Sequence, residues 1–152
     1  MLLEQLNKIK NVELLSKIIF FHFLYLQYEK NIQFSTSNIE NILTSSSMVG
    51  WFLLEDNKNI SGYLIGEVRV LEDGRRVFFI SYFYIIEIQR RKGYGTKMMQ
   101  NAMCYCINNN ILFIMLISKK NDIFFKKLGF SKDILIQLDN KNYEIITMMK
   151  SM

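Results

Sequence analysis

The sequence predicts a mixed α/β fold with a largely antiparallel sheet and helices packed beside it, and three features predict it. Val77 to Ile86 is almost wholly β-branched or aromatic and reads as a central strand. Met98, Met99, Ala102, Met103 and Cys106 recur at helical spacing. Between these stretches lies Arg90-Arg91-Lys92-Gly93-Tyr94-Gly95-Thr96, across which the hydrophobic period changes from that of a strand to that of a helix. Gly93 and Gly95 carry no Cβ, so backbone N–H groups of the turn can converge on an anion where the helix dipole also favours one. A phosphate or pyrophosphate suits such a turn. Lys92 precedes the glycines and Met98 holds the place of a third, so neither the phosphate loop of nucleoside triphosphatases nor the dinucleotide fingerprint fits.

The other elements follow in order. The 152 residues have the size of one domain, and 50% hydrophobic residues suffice for a substantial core. Leu14, Leu15, Ile18, Ile19, His22 and Leu26 give the N-terminal region a thick helical apolar face. Its most apolar run, Ile18 to Leu26, is too short for a membrane span and lacks a signal-peptide cleavage site, so core packing is its expected role. Ser37 and Glu40 form a capping-box pair that starts a short second helix, to about Thr44. Gly50 to Leu54 and Ile60 to Leu71 read as strands around the polar hairpin Glu55 to Asn59, and Glu72-Asp73-Gly74-Arg75 is the next hairpin turn. The result is an antiparallel meander. Asn108-Asn109-Asn110 ends the helix after the glycine turn, and Ile111 to Ile117 reads as a buried strand. Asn121 to Leu128 is helix stopped by Gly129, and Ile134 to Leu138 with Tyr143 to Met149 closes the chain as a hairpin about Asp139 to Asn142. No repeat or linker divides the chain.

Charge and cysteine usage narrow the function classes. The net charge of +5 suits an enzyme that attracts a polyanionic cofactor, a reading preferred over a nucleic-acid or membrane surface. Cys104 and Cys106 stand two apart on a helix, where side chains do not face each other, so no disulfide is expected between them. With His22 as the single histidine, neither a Cys/His zinc set nor a Cys-His nucleophilic pair can be assembled, and no metal is expected. The absence of a cysteine framework fits a reducing compartment, hence an intracellular, cytoplasmic protein.

Arg90-x-x-Gly93-x-Gly95 resembles the [Arg/Gln]-x-x-Gly-x-[Gly/Ala] signature of the GNAT superfamily of N-acetyltransferases. Phe124-Phe125-Lys126-Lys127-Leu128-Gly129-Phe130 resembles the family's second signature, an aromatic pair followed by Gly-Phe, and Ile60-Ser61-Gly62-Tyr63-Leu64 is similar to its third strand. The resemblance covers residues 48–149, about two-thirds of the chain. It implies a sheet whose fourth and fifth strands splay into a V-shaped opening for acetyl-CoA. The amides from Arg91 to Thr96 would hold the pyrophosphate, and backbone near Tyr84 and Ile85 would pair with the pantetheine arm like an added strand. Arg90, Arg91 and Lys92 would assist the phosphates, a solvated role being equally open for each. A neutral amine would attack the thioester directly while a backbone N–H near Ile85 polarises the carbonyl oxygen.

The sequence departs from the family at three places. Phe125 stands where many members carry a thiolate-protonating tyrosine, and Phe79, fourteen positions before Gly93, stands where several carry a base. Ser118 stands where members tend to carry an asparagine that meets the cofactor, and Asn121 is displaced from that place. Three explanations stay open. Proximity and amide dipoles suffice, with Ser81, Tyr82, Tyr84 or water relaying the proton; or Glu67 or Glu87 is the base; or the chain binds CoA as a regulatory module without turnover. The runs Gly93-Tyr94-Gly95 and Phe125 to Asp133 resemble lysine and N-terminal protein acetyltransferases, which favours a protein amine as acceptor. Its pocket would come from Glu29 to Ser37 and Asp139 to Asn142. The different-class alternative is a nucleic-acid-binding module using the cations at 90–92, 119–120 and 126–127.

Overall fold

A computed structural model describes residues 2–5, 47–55 and 59–149. The expected N-terminal helix with His22, the short helix after Ser37, the Glu29–Ser37 acceptor loop and the tip of the first hairpin lie outside the described residues.

Seven strands form one sheet: β1 (Leu2–Gln5), β2 (Met48–Glu55), β3 (Asn59–Val70), β4 (Arg76–Ile85), β5 (Phe113–Lys119), β6 (Ser131–Lys132) and β7 (Tyr143–Met149). Their order is β1-β2-β3-β4-β5-β7-β6, antiparallel throughout except for the parallel pair β4–β5. A parallel pair needs a crossover, and here it contains helix α1 (Tyr94–Asn108). Met98, Met99, Ala102 and Cys106 form the buried stripe of α1 and pack on Leu64, Phe78, Ile80, Ile114 and Leu116 of the sheet. Tyr63, Ile65, Val77, Tyr82 and Met115 are buried on the other face. The meander turn closes on Gly74 at φ +88°, with the Arg75 N–H donating to Asp73 Oδ1.

Leu2–Gln5 pairs with β2 as an edge strand that the sequence did not single out. One expectation is corrected. Ile134 to Leu138 is not a strand; β7 pairs instead with the two-residue β6, at Ser131–Thr147 and Lys132–Ile146. The cause is Asp133. Its carboxylate accepts the Leu135 N–H at 2.9 Å and the Ile136 N–H at 2.7 Å, turning the chain out of the sheet, and Ile134 is left 88% exposed. The same carboxylate takes a forked pair of bonds from Arg75 Nη1 and Nη2, at 2.8 and 3.2 Å. Burial alone would raise the Asp133 pKa, but Arg75 and the two amides outweigh it and hold the group at about 2.

β4 changes character halfway along. A bulge at Ser81, opposite Ile65/Gly66 of β3, inserts one unpaired residue, so that Phe78 and Ile80 before it and Phe83 and Ile85 after it share one face. The ladder to β5 runs only from Val77–Phe113 to Ile80–Leu116, although β4 continues to Ile85 and β5 to Lys119.

Candidate active site

Beyond the end of that ladder lies a cleft of about 790 Å³. β4 supplies Phe83, Tyr84 and Ile85; the turn and first residues of α1 supply Gln89, Arg90, Arg91 and Gly93 to Thr96; the segment after β5 supplies Asp122, Phe124 and Phe125. The Ile86 N–H donates to Ser61 O at 2.9 Å, and amides alternate in direction along an antiparallel strand. The N–H groups of Phe83 and Ile85 therefore face away from β3, toward the side where β5 no longer pairs. Tyr84 directs its backbone to its partner Tyr63. The Ile85 carbonyl, also on the open side, accepts Arg90 Nε at 2.8 Å, which holds the guanidinium carbon 5.3 Å from the Tyr84 ring centre.

The glycine turn is built for an anion. Glu87–Gln89 forms a single 3-10 turn, Arg91 and Gly93 adopt left-handed φ values of 64° and 83°, and Gly93 is the N-cap of α1. The first helical hydrogen bond is Lys97 N–H to Gly93 O, which leaves the preceding amides outside the ladder at the positive end of the helix. No acidic side chain stands in the first turn and no side chain caps it. A Cβ on Gly93 would meet nothing within 4 Å, whereas one on Gly95 would lie 3.3 Å from the Phe124 ring. Gly93 thus serves conformation and open space, and Gly95 serves the close packing of the turn on Phe124.

Helix α2 (Ile123–Lys127) brings the aromatic pair to the opposite wall. Phe83, Phe124, Phe125 and Phe130 stack edge to face with centroids 5.2 to 6.1 Å apart, joining β4 to α2. Gly129, at φ +102°, ends this helix as its sequence predicts.

The candidates from sequence divide between the cleft and its surroundings. Tyr84, Ile85, Arg90, Arg91, Gly93, Tyr94, Gly95, Thr96 and Phe125 line it. Lys92 does not; its Nζ donates to Gln89 Oε1 at 3.1 Å. Ser118 does not either, since its hydroxyl donates to the Lys119 carbonyl and faces a small pocket beside Lys126 and Glu144. Ser81 sits in the bulge with its hydroxyl buried and no hydrogen-bond partner among the described residues. Tyr82 lies on the other face, and burial raises its pKa and, more strongly, that of Tyr63, so both phenols keep their protons at neutral pH. Glu87 is exposed on the 3-10 turn, and Glu67, across from Phe79, is ion-paired with Arg69. Sequence reasoning missed Phe83, Gln89, Asp122 and Phe124 as cleft residues. The adjacency of Phe124 to Phe125 was the one available signal.

Among the described residues there is no group of His, Cys, Asp and Glu side chains able to hold a metal ion, and no helix long and apolar enough to cross a membrane.

Comparison with known proteins agrees with this geometry. An acetyltransferase of the GNAT family from Staphylococcus aureus Mu50 is 18% identical, with 97% of this chain and 99% of that one covered and a TM-score of 0.72. Arabidopsis thaliana NAA60, solved in complex with acetyl-CoA, is 11% identical over 98% of this chain and 97% of its own, with a TM-score of 0.68. An aminoglycoside acetyltransferase from an uncultured soil metagenomic sample is 17% identical over 93% and 99%, at 0.64. The sequence profile of the acetyltransferase (GNAT) family matches residues 15–130. Since that match takes in most of the chain, including the glycine turn and the aromatic pair, the protein belongs to the acetyltransferase (GNAT) family and is an acetyltransferase that uses acetyl-CoA.

Proposed function

We propose that this enzyme passes the acetyl group directly to a primary amine, with a protein amine as the preferred acceptor. The observation that carries the reading is the cleft itself. Unladdered amides at the start of α1, Arg90 and Arg91 stand at one end, and an open β4 edge runs from there toward the aromatic pair. The end of the β4–β5 ladder at Ile80–Leu116 supports a V-shaped opening between these strands as the entry for the cofactor.

Acetyl-CoA supplies an activated thioester. The chain would do the rest by placement: the α1 amides and the two arginines neutralise the diphosphate, and the outward amides of Phe83 and Ile85 fix an extended arm along β4. An Ile85 N–H aimed into the cleft can polarise a carbonyl oxygen there, and positioning of this kind accounts for large rate factors without a covalent enzyme intermediate. Of the four catalytic candidates, Tyr84 alone is among the residues that line the cleft, and because its ring stacks beside Tyr63 on the other face of the sheet, a proton relay involving it would run through water. The preference for a protein acceptor rests on the local sequence likeness around Gly93 and Phe125; the aminoglycoside acetyltransferase fold makes a small-molecule amine the competitor.

Calorimetric titration with acetyl-CoA tests the site, and an acceptor screen over peptides and small amines tests the preference. Gly93→Asp puts a like charge into the open space beside the turn and should weaken acetyl-CoA binding about 100-fold or more while the fold survives. Unchanged affinity in folded Gly93→Asp would place the cofactor elsewhere.

A further inference from the structure

The opening beyond the β4–β5 ladder differs in charge between its two faces. On the helix face it is walled by Phe83, Phe124 and Phe125, and Glu144 turns with Ser118 to the small pocket behind α2. Alternation along β5 sends Ile117 and Lys119 to the opposite face, the one on which Tyr84 packs beside Tyr63. Lys119 pairs with Tyr143 of β7, and the Lys120 N–H donates to Asn142 O at 2.9 Å, so the turn that carries Lys141 is fastened to the end of β5. Lys119, Lys120 and Lys141 are exposed and make no ion pair among the described residues. Neighbouring carboxylates do not balance them: Glu67 is bonded to Arg69, Glu144 lies on the helix face, and Asp139 alone shares the turn. Across the opening Arg90 adds a further cation, 5.3 Å from the Tyr84 ring centre, with Glu87 exposed three residues before it.

We propose that the acceptor amine belongs to an acidic polypeptide segment, whose carboxylates are met by Lys119, Lys120 and Lys141. The assignment deepens the protein-amine reading above and rests on it. With the cofactor entering at the glycine turn and aromatic rings closing the helix face, the acceptor is left the face that carries Lys119. A carboxylate beside the amine finds unpaired cations there, whereas a polycationic small molecule such as an aminoglycoside is repelled. The same cations disfavour an ammonium and so favour the neutral amine that attacks a thioester. The charge on this rim therefore separates the two acceptor classes that the cleft alone leaves in competition. Nucleic acid matches the charge but carries no primary alkyl amine to acetylate.

The test uses three peptides, each with a free N-terminal amine and one lysine, that differ only in whether the flanking residues are Glu, Gln or Arg. Wild-type kcat/KM should fall about tenfold from the Glu to the Gln peptide and further to the Arg peptide, mainly through KM, and the spread should shrink from about 50 to 500 mM salt. In the triple variant Lys119→Gln/Lys120→Gln/Lys141→Gln, KM for the Glu peptide should rise about tenfold to meet that of the Gln peptide. Acetyl-CoA affinity by calorimetry should stay within about twofold of wild type, because the three lysines lie outside the cleft lining. Equal kcat/KM for the three peptides, a preference for the Arg peptide, or an unchanged preference in the triple variant would overturn the proposal while leaving a protein amine as acceptor. Peptides left undistinguished, together with tight binding of a single-stranded oligonucleotide that the triple variant loses, would assign the lysines to nucleic acid instead. Transfer to an aminoglycoside and to none of the peptides would overturn the protein-amine reading itself.

Discussion

The two halves of β4 are made of similar residues and do different work. Val77 to Ile80 is laddered on both sides, to β3 and to β5, and its inward side chains, Phe78 and Ile80, are core. After the bulge at Ser81 the strand keeps β3 and has lost β5, and its inward side chains, Phe83 and Ile85, line the cleft. The difference teaches that apolar composition alone does not tell a core strand from a ligand-facing one. What separates them is the termination of a ladder, which frees backbone groups that must then find another partner.

Perturbing the first half should act on stability. Phe78 is fully buried and meets Trp51 and Tyr105 ring to ring, so Phe78→Ala should cost about 3–5 kcal/mol, read as a lower urea midpoint. If that variant lost acetyl-CoA affinity while unfolding at the wild-type midpoint, the distinction between the halves would fail. At the entry to the strand, Asp133→Ala should cost about 3 kcal/mol by leaving Arg75 with Asp73 alone. The folded Asp133 carboxyl, at about 2, lies below the usual value near 4, so its contribution is full above about pH 4 and is lost as the pH falls toward 2. Thermal melts of wild type and variant should accordingly differ by a constant amount from pH 7 to 5 and converge below pH 4.

The second half should answer in turnover. Phe125→Tyr keeps the ring stack with Phe83, Phe124 and Phe130 and adds a hydroxyl to the cleft wall, so kcat should stay level or rise up to about 100-fold with little change in melting temperature. A large fall in kcat with the fold intact would show that the acceptor needs the bare ring. The smallest effect belongs to the cysteines. Cys106 is buried in the core with its thiol pushed up to about 12 by burial, and Cys104 is exposed on α1 away from the lining residues. Cys104→Ser/Cys106→Ser should retain near-normal turnover, losing about 1 kcal/mol of stability from a hydroxyl at position 106. An acetyl-cysteine detected by intact mass, with transfer abolished in the double variant, would replace direct attack by a covalent route.

Much of this was legible where the determinants are local. The change of period across Gly93 and Gly95, the Asp73-Gly74 turn and the Tyr143–Met149 strand all rest on neighbours within a few residues. The run Ile134–Leu138 misled because its alternation suits a strand, while its course is fixed by a carboxylate bonded to a guanidinium 58 positions earlier in the chain. Asp122 and Gln89 were overlooked for the same reason, since a polar residue becomes a cleft residue only through what lies across from it. Ser118 could be counted to its position, but the direction of its hydroxyl was set by the neighbouring carbonyl.

The bulge at Ser81 has a genetic consequence. Phe78 and Phe83 are an odd number of residues apart and still share a face, so the extra residue keeps two otherwise incompatible reading phases in step. Loss of the Ser81 codon would restore plain alternation and keep Phe83 and Ile85 on the Phe78 face with every pairing of Arg76 to Ile80 untouched, whereas drawing Ser81 into the ladder with no residue lost would bring Tyr82 and Tyr84 to that face. Drift in the ligand-facing half can thus proceed without renegotiating the folding half, provided the extra residue between them is either kept out of the ladder or lost whole.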